Sequence, residues 1–349
     1  MKIILTGGGT AGHVTPNFAL IPYLKSEGFE IEYIGSINGL EKKLVEDKNI
    51  KYHGIASGKL RRYFDIKNFT DSANILKGIW QANKLMKKIR PNIVFSKGGF
   101  VTVPVVISAW LNKIPVIIHE SDMTSGLANK ICTPFTSVIC TSFPDAAKNI
   151  KKSVVTGSPI RDEILNGNAD NIRKKLSLDT RPVILIIGGS QGSVKINQNI
   201  RAILNQLGDF QIIHICGKGN LDQNISLKNY FQFEYITDEL ADYFALADII
   251  ISRAGSNSIF EFLALKKPNL LIPLSKKSSR GDQILNANYF QKLGLSKVLY
   301  EENLNGQSLL KNIMELIDEK DKYIKNMSQK NFASGNEKII SLIKKYARA

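Results

Sequence analysis

The sequence contains few cysteines, and they lie far apart. Cys132, Cys140 and Cys216 are the only three in 349 residues, and they do not have the spacing of metal ligands. Sparse cysteine is typical of proteins from a reducing compartment, so we expect the three thiols to be small buried hydrophobes. The cysteines therefore predict neither a disulfide framework nor a metal centre.

Long apolar runs are also missing. The longest apolar stretch, Phe100–Leu111, has about half of the ~20 residues that a membrane-spanning helix requires, and it contains a proline. The apolar residues at the N-terminus give way to glycine at Gly7, which is too early for a secretory signal. We therefore expect a cytoplasmic protein that does not cross a membrane.

Acidic residues are outnumbered by basic ones, 31 to 47, and the net charge is +16. A basic surface can attract nucleic acid, anionic lipid or an acidic substrate. The sequence has no zinc-finger spacing, RNP-like aromatic motif or arginine-rich helix, so we predict no nucleic-acid partner. It has no Asp-x-Asp pair either, Glu120-Ser-Asp122 being the nearest approximation, and we expect no metal and no other cofactor.

Two glycine-rich turns, one in each half, are the most informative features present. GGGTAGH (Gly7–His13) follows the apolar run Lys2–Thr6, and GGSQGS (Gly188–Ser193) follows Val183–Ile187. Each run predicts a buried strand and each turn a helix start, whose N–H groups and dipole attract phosphate. The first turn contains G-x-G-x-x-G, but no acidic residue closes the second predicted strand, and the second turn lacks a Gly-Lys-Ser/Thr ending. We therefore predict neither a nicotinamide site nor an ATPase P-loop, but two lobes that bind a phosphorylated ligand. One such turn alone could be a plain strand-to-helix connection.

Strand-like and helix-like segments alternate through both halves, which predicts an α/β fold with two Rossmann-like, doubly wound parallel sheets. The predicted strands are Ile3–Thr6, Ile31–Ile34, Ile93–Ser96, Val116–His119, Val138–Cys140 and Val154–Thr156, then Val183–Ile187, Gln211–Ile215, Ile249–Ser252 and Asn269–Ile272. Gly157-Ser-Pro159 predicts a hinge, so we place the domains at residues 1–158 and 159–334. A helix over Glu337–Tyr346, in the segment 335–349, has an apolar face that we expect to pack toward the first domain.

Titratable side chains follow two predicted strands of the first half. His13 ends the first turn, and His119, Glu120 and Asp122 lie at the carboxyl end of the fourth strand, where open α/β sheets bind ligands. Imidazole suits proton transfer near neutral pH, and His13 could instead contact an anion or cap the helix. A carboxylate there could take a proton or hold sugar hydroxyls, whereas Ser121 or Asp122 could equally cap a helix. His13, Glu120 and Asp122 are the candidate catalytic bases.

The second half offers a candidate sugar-binding segment. Arg253–Glu261 (RAGSNSIFE) follows a predicted strand, and its glycine, small polar side chains and carboxylate suit a ribose diol. Ser258-x-x-Glu261 also matches a helix capping box, which is the structural alternative. Gln283 precedes a helix predicted over Ile284–Leu293, and it could bind sugar hydroxyls or lie in a solvated turn.

A third feature is the amphipathic helix predicted over Ile75–Arg90, whose charges are all basic. Part of its apolar stripe could be core. A basic helix with a tryptophan and no acid also suits an anionic membrane surface, and Leu60–Phe64 (LRRYF) is a second basic and aromatic stretch. The residues predicted to face a membrane are Phe69, Leu76, Ile79, Trp80, Lys84 and Trp110.

Eight motifs occur in order along most of the chain: GGGTAGHVTPN, SGKLRR, FSKGGFVTVP, IIHESD, GSPIR, GGSQGS, SRAGSNSIFEF and SRGDQ. This ordered set resembles glycosyltransferase family 28, and within it the MurG family of bacterial peptidoglycan synthesis in its shorter Gram-positive form. The resemblance implies a GT-B fold with two domains facing a cleft. It implies inverting transfer of N-acetylglucosamine from UDP-GlcNAc to the C4 hydroxyl of lipid I (undecaprenyl-diphospho-MurNAc-pentapeptide), which gives lipid II. It also implies a peripheral protein at the cytoplasmic face of the cell membrane, with cell-wall synthesis and division proteins as further partners.

The resemblance assigns roles by motif position. His13 matches the family's candidate base, Glu261 its ribose contact and Gln283 its contact to the N-acetylglucosamine hydroxyls. Asp122 stands where many members carry asparagine, and a carboxylate keeps the hydrogen-bond acceptor but loses the amide donor. With Arg253 from the same loop, the predicted donor-binding residues are Thr10, Ala11, Gly12, Arg161, Ser190 (diphosphate), Ile236 (uracil side), Arg253, Ser256, Asn257, Ser258, Glu261 and Gln283.

Two other functions remain open from the sequence. A UDP-sugar epimerase on the same fold would need neither a lipid acceptor nor a membrane surface. A non-catalytic sensor at the membrane would bind UDP-GlcNAc without turnover. The two phosphate-binding turns, the Glu261 helix start and the basic apolar helix favour the transferase.

Overall fold

The computed structural model describes residues 1–58, 67–148, 150–189, 192–330 and 334–347, with the backbone alone for residues 67–72. The chain divides into two compact units. The first comprises Met1–Arg161 together with Ser334–Ala349, and the second comprises Asp162–Ala333. The boundary between Arg161 and Asp162 therefore lies close to the hinge that Gly157-Ser-Pro159 predicts.

A seven-stranded parallel sheet forms the centre of the first unit. Its strands lie in the order β3-β2-β1-β4-β5-β6-β7, and β1, β4, β5 and β6 are almost fully buried apolar runs, as a sheet covered on both faces requires. The strands are β1 (Lys2–Thr6), β2 (Glu30–Ser36), β3 (Lys51–Ile55), β4 (Ile93–Ser96), β5 (Val116–Glu120), β6 (Val138–Thr141) and β7 (Ser153–Val155).

Helices cover both faces of this sheet. They are α1 (Thr15–Ser26), α2 (Glu41–Glu46), α3 (Lys67–Ile89), α4 (Thr102–Leu111), α5 (Leu127–Cys132) and α6 (Pro144–Ala147), with 3-10 turns at Ala11–His13 and Thr133–Phe135. The Ser108 hydroxyl donates to the carbonyl of Ile79 at 2.9 Å, and the Asn112 amide donates to Asn83 at 2.6 Å. Because these two contacts advance together along both helices, α3 and α4 run side by side in the same direction.

The second unit repeats the plan with six parallel strands in the order β10-β9-β8-β11-β12-β13. These strands are β8 (Val183–Ile187), β9 (Gln211–Ile215), β10 (Tyr230–Phe233), β11 (Ile249–Ser252), β12 (Asn269–Leu271) and β13 (Lys297–Val298). The helices are α7 (Asp162–Leu165), α8 (Ala169–Lys175), α9 (Val194–Ala202), α10 (Leu240–Leu246), α11 (Ser256–Ala264), α12 (Asp282–Lys292), α13 (Gly306–Asp318) and α14 (Lys320–Gln329), with 3-10 turns at Leu204–Gln206 and Glu301–Asn303.

The strand order fixes where ligands are expected. In the first sheet, β1 has β2 on one side and β4 on the other, and in the second sheet β8 lies between β9 and β11. Open α/β sheets bind ligands at the carboxyl edge of such a topological switch point. The first glycine-rich turn follows β1 and the second follows β8, so each turn lies at the switch point of its own sheet.

The sequence analysis did not predict three of the strands, β3, β10 and β13. All three are edge strands, and their sequences lack the continuous apolar pattern of the central strands. β3 contains Lys51, His53 and Gly54, and β13 has only two residues. Strand prediction therefore succeeded for all the central strands and for the edge strand β7, and it failed for the other three edge strands.

The C-terminal helix α15 (Asn336–Ala347) belongs to the first unit. Ile339, Ile340 and Ile343 are buried in the same core cluster as the β1 residues Ile3 and Leu5. The Asn336 side chain fixes the start of the helix, since its amide donates to the carbonyl of Ile160 at 2.7 Å and its oxygen accepts from the Ile160 N–H at 3.2 Å. The last residues of the chain thus complete the core built by the first.

We predict that Ile343→Ala destabilises the first unit by about 2–5 kcal/mol, because the side chain is fully buried and its removal leaves a cavity. The measurement is the free energy of unfolding in urea, with Lys345→Ala, exposed on the same helix, as control. A loss below about 0.5 kcal/mol, the range of surface changes, would show that α15 adds little to this core.

Candidate functional site

The turn after β1 is interlocked with the turn after β4. The N–H of Gly8 donates to the carbonyl of Gly98 at 3.3 Å. Gly98 and Gly99 have φ of +94° and +92°, and a Cβ on Gly99 would overlap the carbonyl of Gly8. Only glycine fits this close approach. The SKGG segment, which the sequence analysis used only as a motif, therefore shapes the first switch point.

A buried carboxylate that the sequence analysis missed supports the same turn. Glu41, at the start of α2, is fully buried and accepts from the Ser36 N–H at 2.8 Å and the Gly9 N–H at 3.3 Å. A Cβ on Gly8 or Gly39 would overlap this carboxylate. No local pattern pointed to Glu41, since it lies 32 residues from the turn it contacts.

His13 ends the 3-10 turn and is held in one ring orientation. Its Nδ1 lies 3.1 Å from the carbonyl oxygen of Gly8 and 3.2 Å from the hydroxyl of Thr10. A carbonyl can only accept, so the contact to Gly8 places the proton on Nδ1. In that tautomer Nε2 carries the lone pair, which is the arrangement a general base requires.

A buried lysine lies beneath the segment that follows β5. The Lys97 side chain is almost fully buried, and its ammonium donates to His119 Nδ1 at 2.8 Å and to the Ser121 hydroxyl. His119 in turn donates from Nε2 to the carbonyl of Gly157 at 2.9 Å. Burial lowers the pKa of Lys97 to about 8, although the negative charges of Glu120 and Asp122 act to raise it. Burial and the charge of Lys97 hold the pKa of His119 well below its usual range, so this imidazole is neutral.

The two candidate carboxylates of the HESD motif occupy different environments. Glu120 is buried, and its oxygens accept from the Asn129 amide at 2.8 Å, the Gly126 N–H at 3.0 Å and the Asp122 N–H at 3.2 Å. Burial raises the pKa of Glu120, although the hydrogen bond from Asn129 acts to lower it. Asp122 is half-buried. This geometry favours a loop-supporting role for Glu120 over direct proton transfer.

In the second unit, the turn after β8 leads into α9. Ser193 is the N-cap of α9 and its hydroxyl accepts from the Ile196 N–H at 3.4 Å. Gly192 has φ +73°, and a Cβ there would overlap the carbonyl of Cys216. The helix N-terminus at the switch point is a site that favours an anion. Ser190, the predicted diphosphate contact, lies outside the described residues.

The capping-box interpretation of Ser258 and Glu261 is wrong. Helix α11 begins at Ser256 after an N-cap at Gly255, so Ser258 is the third residue of the helix and does not cap it. Ser256 is buried, whereas Asn257, Ser258 and Glu261 are half-buried. Helix α11 follows β11, and Ile236, also half-buried, follows β10 at the same edge of the sheet.

Two other predicted donor contacts have partners inside the unit. Arg253 is buried, and its guanidinium bonds the Glu301 carboxylate at 2.6 Å, the Ser193 hydroxyl at 2.7 Å and the carbonyl of Ile272 at 3.1 Å. Gln283 is half-buried near the start of α12, and its Oε1 accepts from the Leu274 N–H at 3.1 Å. The structure therefore gives Arg253 a supporting position beneath the edge, held by Glu301, which the sequence analysis missed.

The remaining predicted site residues lie in the first unit. Thr10 and Gly12 are exposed on the first turn, with Ala11 half-buried between them, and Arg161 is half-buried at the end of the unit.

Three of the predicted membrane-facing residues on α3 and α4 are exposed apolar side chains, and the Trp110 ring also packs edge-on against Phe135. Leu76, Trp80 and Trp110 have 69%, 63% and 52% of their surface exposed, and Ile79 is half-buried. The Lys84 ammonium lies 5.1 Å from the centre of the Trp80 ring. The Phe69 side chain and the stretch Leu60–Phe64 lie outside the described residues.

Within the described ranges, no helix has both the length and the apolar character to cross a membrane. Among the same residues, no three His, Cys, Asp or Glu side chains form a group that could hold a metal ion.

Two parallel-sheet units, each with a glycine turn and a helix start at its switch point, define a two-domain α/β protein that binds ligands at the carboxyl edges of its sheets. The model of the glycosyltransferase family 28 N-terminal domain matches residues 3–141, and that of the C-terminal domain matches residues 183–343. The chain belongs to glycosyltransferase family 28.

Relatives match over almost the whole chain. A UDP-N-acetylglucosamine–N-acetylmuramyl-(pentapeptide) pyrophosphoryl-undecaprenol N-acetylglucosamine transferase from Clostridium botulinum is 58% identical over 352 residues, covering 99% of both chains. The enzyme of the same name from Clostridium tetani is 57% identical, covering 99% of this chain and 98% of its own.

Solved structures agree on the fold. The crystal structure of Acinetobacter baumannii MurG matches with a TM-score of 0.78 at 25% identity, covering 99% of both chains. A UDP-GlcNAc 2-epimerase from Neisseria meningitidis bound to UDP-GlcNAc matches with a TM-score of 0.69 at 15% identity, covering 99% of this chain and all of that one. The second likeness shows the fold alone. The predicted GT-B fold and transferase class are confirmed.

We predict that the contribution of Lys97 to stability grows between pH 8 and 10.5, so that the wild type gains stability across this range relative to Lys97→Met. The pKa of Lys97 is lowered from 10.5 to about 8 in the folded protein. Between these values the unfolded chain binds more protons than the folded one, so raising the pH favours folding. The measurement is the free energy of unfolding of both proteins across this window.

The matched control is Lys88→Met, because Lys88 is exposed on α3. This variant should follow the wild-type pH dependence. Parallel curves for wild type and Lys97→Met would contradict a lowered pKa of Lys97 in the folded protein.

Proposed function

We propose that this protein transfers N-acetylglucosamine from UDP-GlcNAc to the C4 hydroxyl of lipid I, forming lipid II, at the cytoplasmic face of the bacterial cell membrane. The observation that carries the proposal is the topology of the second sheet: the glycine turn and α9 follow β8, and α11, which contains Glu261, follows the neighbouring strand β11. The names of the full-length relatives supply the identities of the sugar and the acceptor.

The donor would be bound mainly by the second unit. The N–H groups at the start of α9 suit the diphosphate, and the Glu261 carboxylate can accept from two neighbouring ribose hydroxyls. Gln283 would contact the sugar hydroxyls, and Ile236 the uracil side. The departing UDP would be stabilised by main-chain amides and the helix dipole, so the proposal requires no metal ion.

The chemistry needs one proton acceptor. His13 Nε2 would take the proton of the C4 hydroxyl as its oxygen attacks the anomeric carbon from the face opposite UDP. The bond from that carbon to the phosphate oxygen breaks, UDP leaves with the electron pair, and the configuration inverts. The Gly8 carbonyl keeps the proton on Nδ1, so that Nε2 is the basic nitrogen. Asp122 would accept a hydrogen bond from the acceptor, while Glu120 holds its loop.

We predict that the purified protein releases UDP from UDP-GlcNAc only when a lipid I analogue is present. His13→Ala should lower kcat by roughly 100- to 10,000-fold, because proton transfer is lost. His13→Asn is the matched variant, since its amide can still donate to Gly8 but it has no Nε2. Coupled UDP release and mass spectrometry of the lipid product measure both.

Each alternative gives a different result in the same assay. Conversion of UDP-GlcNAc without acceptor would indicate an epimerase. Tight binding of UDP-GlcNAc with no turnover would indicate a sensor. Near wild-type kcat in His13→Asn would remove His13 from the role of base.

The exposed group on α3 and α4 supports peripheral binding to an anionic membrane. Trp80 and Trp110 are large amphipathic side chains that are more than half exposed to solvent. The exposed cations on α3 include Lys77, Lys84 and Lys87. Such surfaces bind where apolar side chains enter the interface and cations meet anionic headgroups. The acceptor is itself a lipid, so this surface would keep the first unit at the acceptor.

We predict that Trp80→Gln/Lys84→Gln weakens binding to phosphatidylglycerol-containing vesicles by about tenfold or more, since an apolar anchor and a cation are lost together. Activity on a short-chain soluble acceptor should be unchanged. The control is Met314→Gln/Lys311→Gln, an exposed pair on α13 of the second unit. Equal vesicle sedimentation of wild type and the Trp80/Lys84 variant would place the membrane contact elsewhere.

A further inference from the structure

A buried ion pair lies beneath the carboxyl edge of the second sheet. Arg253 follows β11 and Glu301 lies on the 3-10 turn Glu301–Asn303, yet their guanidinium and carboxylate meet at 2.6 Å. Both residues are at least nine-tenths buried. The two Glu301 hydrogen bonds from Arg253 and from the Ser275 N–H, at 2.6 and 3.4 Å, counter the effect of burial and lower its pKa, so the carboxylate is ionised.

This pair joins three segments that are separate in the sequence. The guanidinium donates to the Ser193 hydroxyl, which caps α9 after the second glycine turn, and to the carbonyl of Ile272 after β12. Glu301 accepts from Ser275 in the same segment after β12. That segment leads to Gln283, whose side chain is bonded to Leu274. One charge pair therefore fixes the turns that follow β8, β11 and β12.

The geometry leaves Arg253 few donors for a ligand. An arginine has five N–H groups, and contacts to Glu301, Ser193 and Ile272 direct its NH1 and NH2 groups into the protein. Lys195 lies 3.5 Å from the other Glu301 oxygen but is 60% exposed, so it adds little to this interaction. Removing one member of a buried pair leaves an uncompensated charge, which the three turns could relieve only by moving apart.

We propose that Glu301 and Arg253 are positioning residues for the sugar-nucleotide site: Glu301 orients Arg253, and Arg253 holds the α9 cap and the segment before Gln283 in the arrangement that binds UDP-GlcNAc. This inference rests on the proposed function for the identity of the ligand. Neither residue needs to touch that ligand.

The test separates donor affinity from all other parameters. Glu301→Gln keeps the shape and removes the charge, and it should raise both the Kd of UDP-GlcNAc, measured by calorimetry, and its KM by roughly tenfold or more. The KM of the lipid acceptor analogue should stay within about twofold, since the acceptor is bound elsewhere. Arg253→Lys should have the same effect, because a single ammonium cannot reach all three partners.

The double variant should have a Kd for UDP-GlcNAc no higher than that of the weaker-binding single variant, because both changes break one network.

Glu315→Gln is the matched control, since it breaks an exposed ion pair with Lys297 in the same unit and should leave every parameter unchanged. A purely structural role would reduce the active fraction, so kcat would fall while Kd and both KM values stayed constant, and that result overturns the proposal. If Glu301→Gln does not fold, Ser193→Ala removes the hydroxyl link to Arg253 together with the N-cap hydrogen bond of α9. It should raise the Kd of UDP-GlcNAc several-fold, and an unchanged Kd would again overturn the proposal.

The calorimetric measurement needs no acceptor. If the wild type binds UDP-GlcNAc but transfers nothing to lipid I, the proposed function fails, while the ratio of Kd values still tests the positioning role.

Discussion

The structure depends on close approach of main-chain atoms at the carboxyl edge of both sheets. At the first switch point, Gly99 lies against the carbonyl of Gly8, and at the second, Gly192 lies against the carbonyl of Cys216. A Cβ at either glycine would overlap the neighbouring main chain. This packing lets helices start directly at the edge, with their first N–H groups available for an anion. In both sheets, a glycine packs directly against a main-chain carbonyl.

Buried charge lies beneath each edge. Glu41 and Lys97 support the turns of the first unit, and Arg253 with Glu301 supports those of the second. Burying an ion costs solvation energy, which is offset only where hydrogen bonds are well formed, as they are at these four residues. A fold that needed only stability could use apolar side chains in these places. Through their hydrogen bonds, these four groups connect turns that are separate in the sequence.

The sequence predicted the central strands, both glycine turns and the fold class, because buried parallel strands have a continuous apolar pattern and glycine marks tight turns. It could not predict the residues that support the site. Glu41 and Glu301 reach their partners only through the fold, 32 and 48 positions along the chain. Lys97 is part of the FSKGGFVTVP motif, but its burial beneath His119 depends on the pairing of β4 with β5. The position of Arg253 beneath the edge, and not at its surface, had no signal in the sequence.

In the proposed binding mode, main-chain amides at the switch point of the second sheet hold the diphosphate of the sugar nucleotide. The most direct measurement is a crystal structure of the protein with UDP-GlcNAc. We expect the diphosphate at the start of α9 beside Gly188 and Gly189, and the ribose hydroxyls within hydrogen-bond distance of Glu261. A diphosphate bound away from the turn after β8, with Glu261 contacting no part of the ligand, would contradict it.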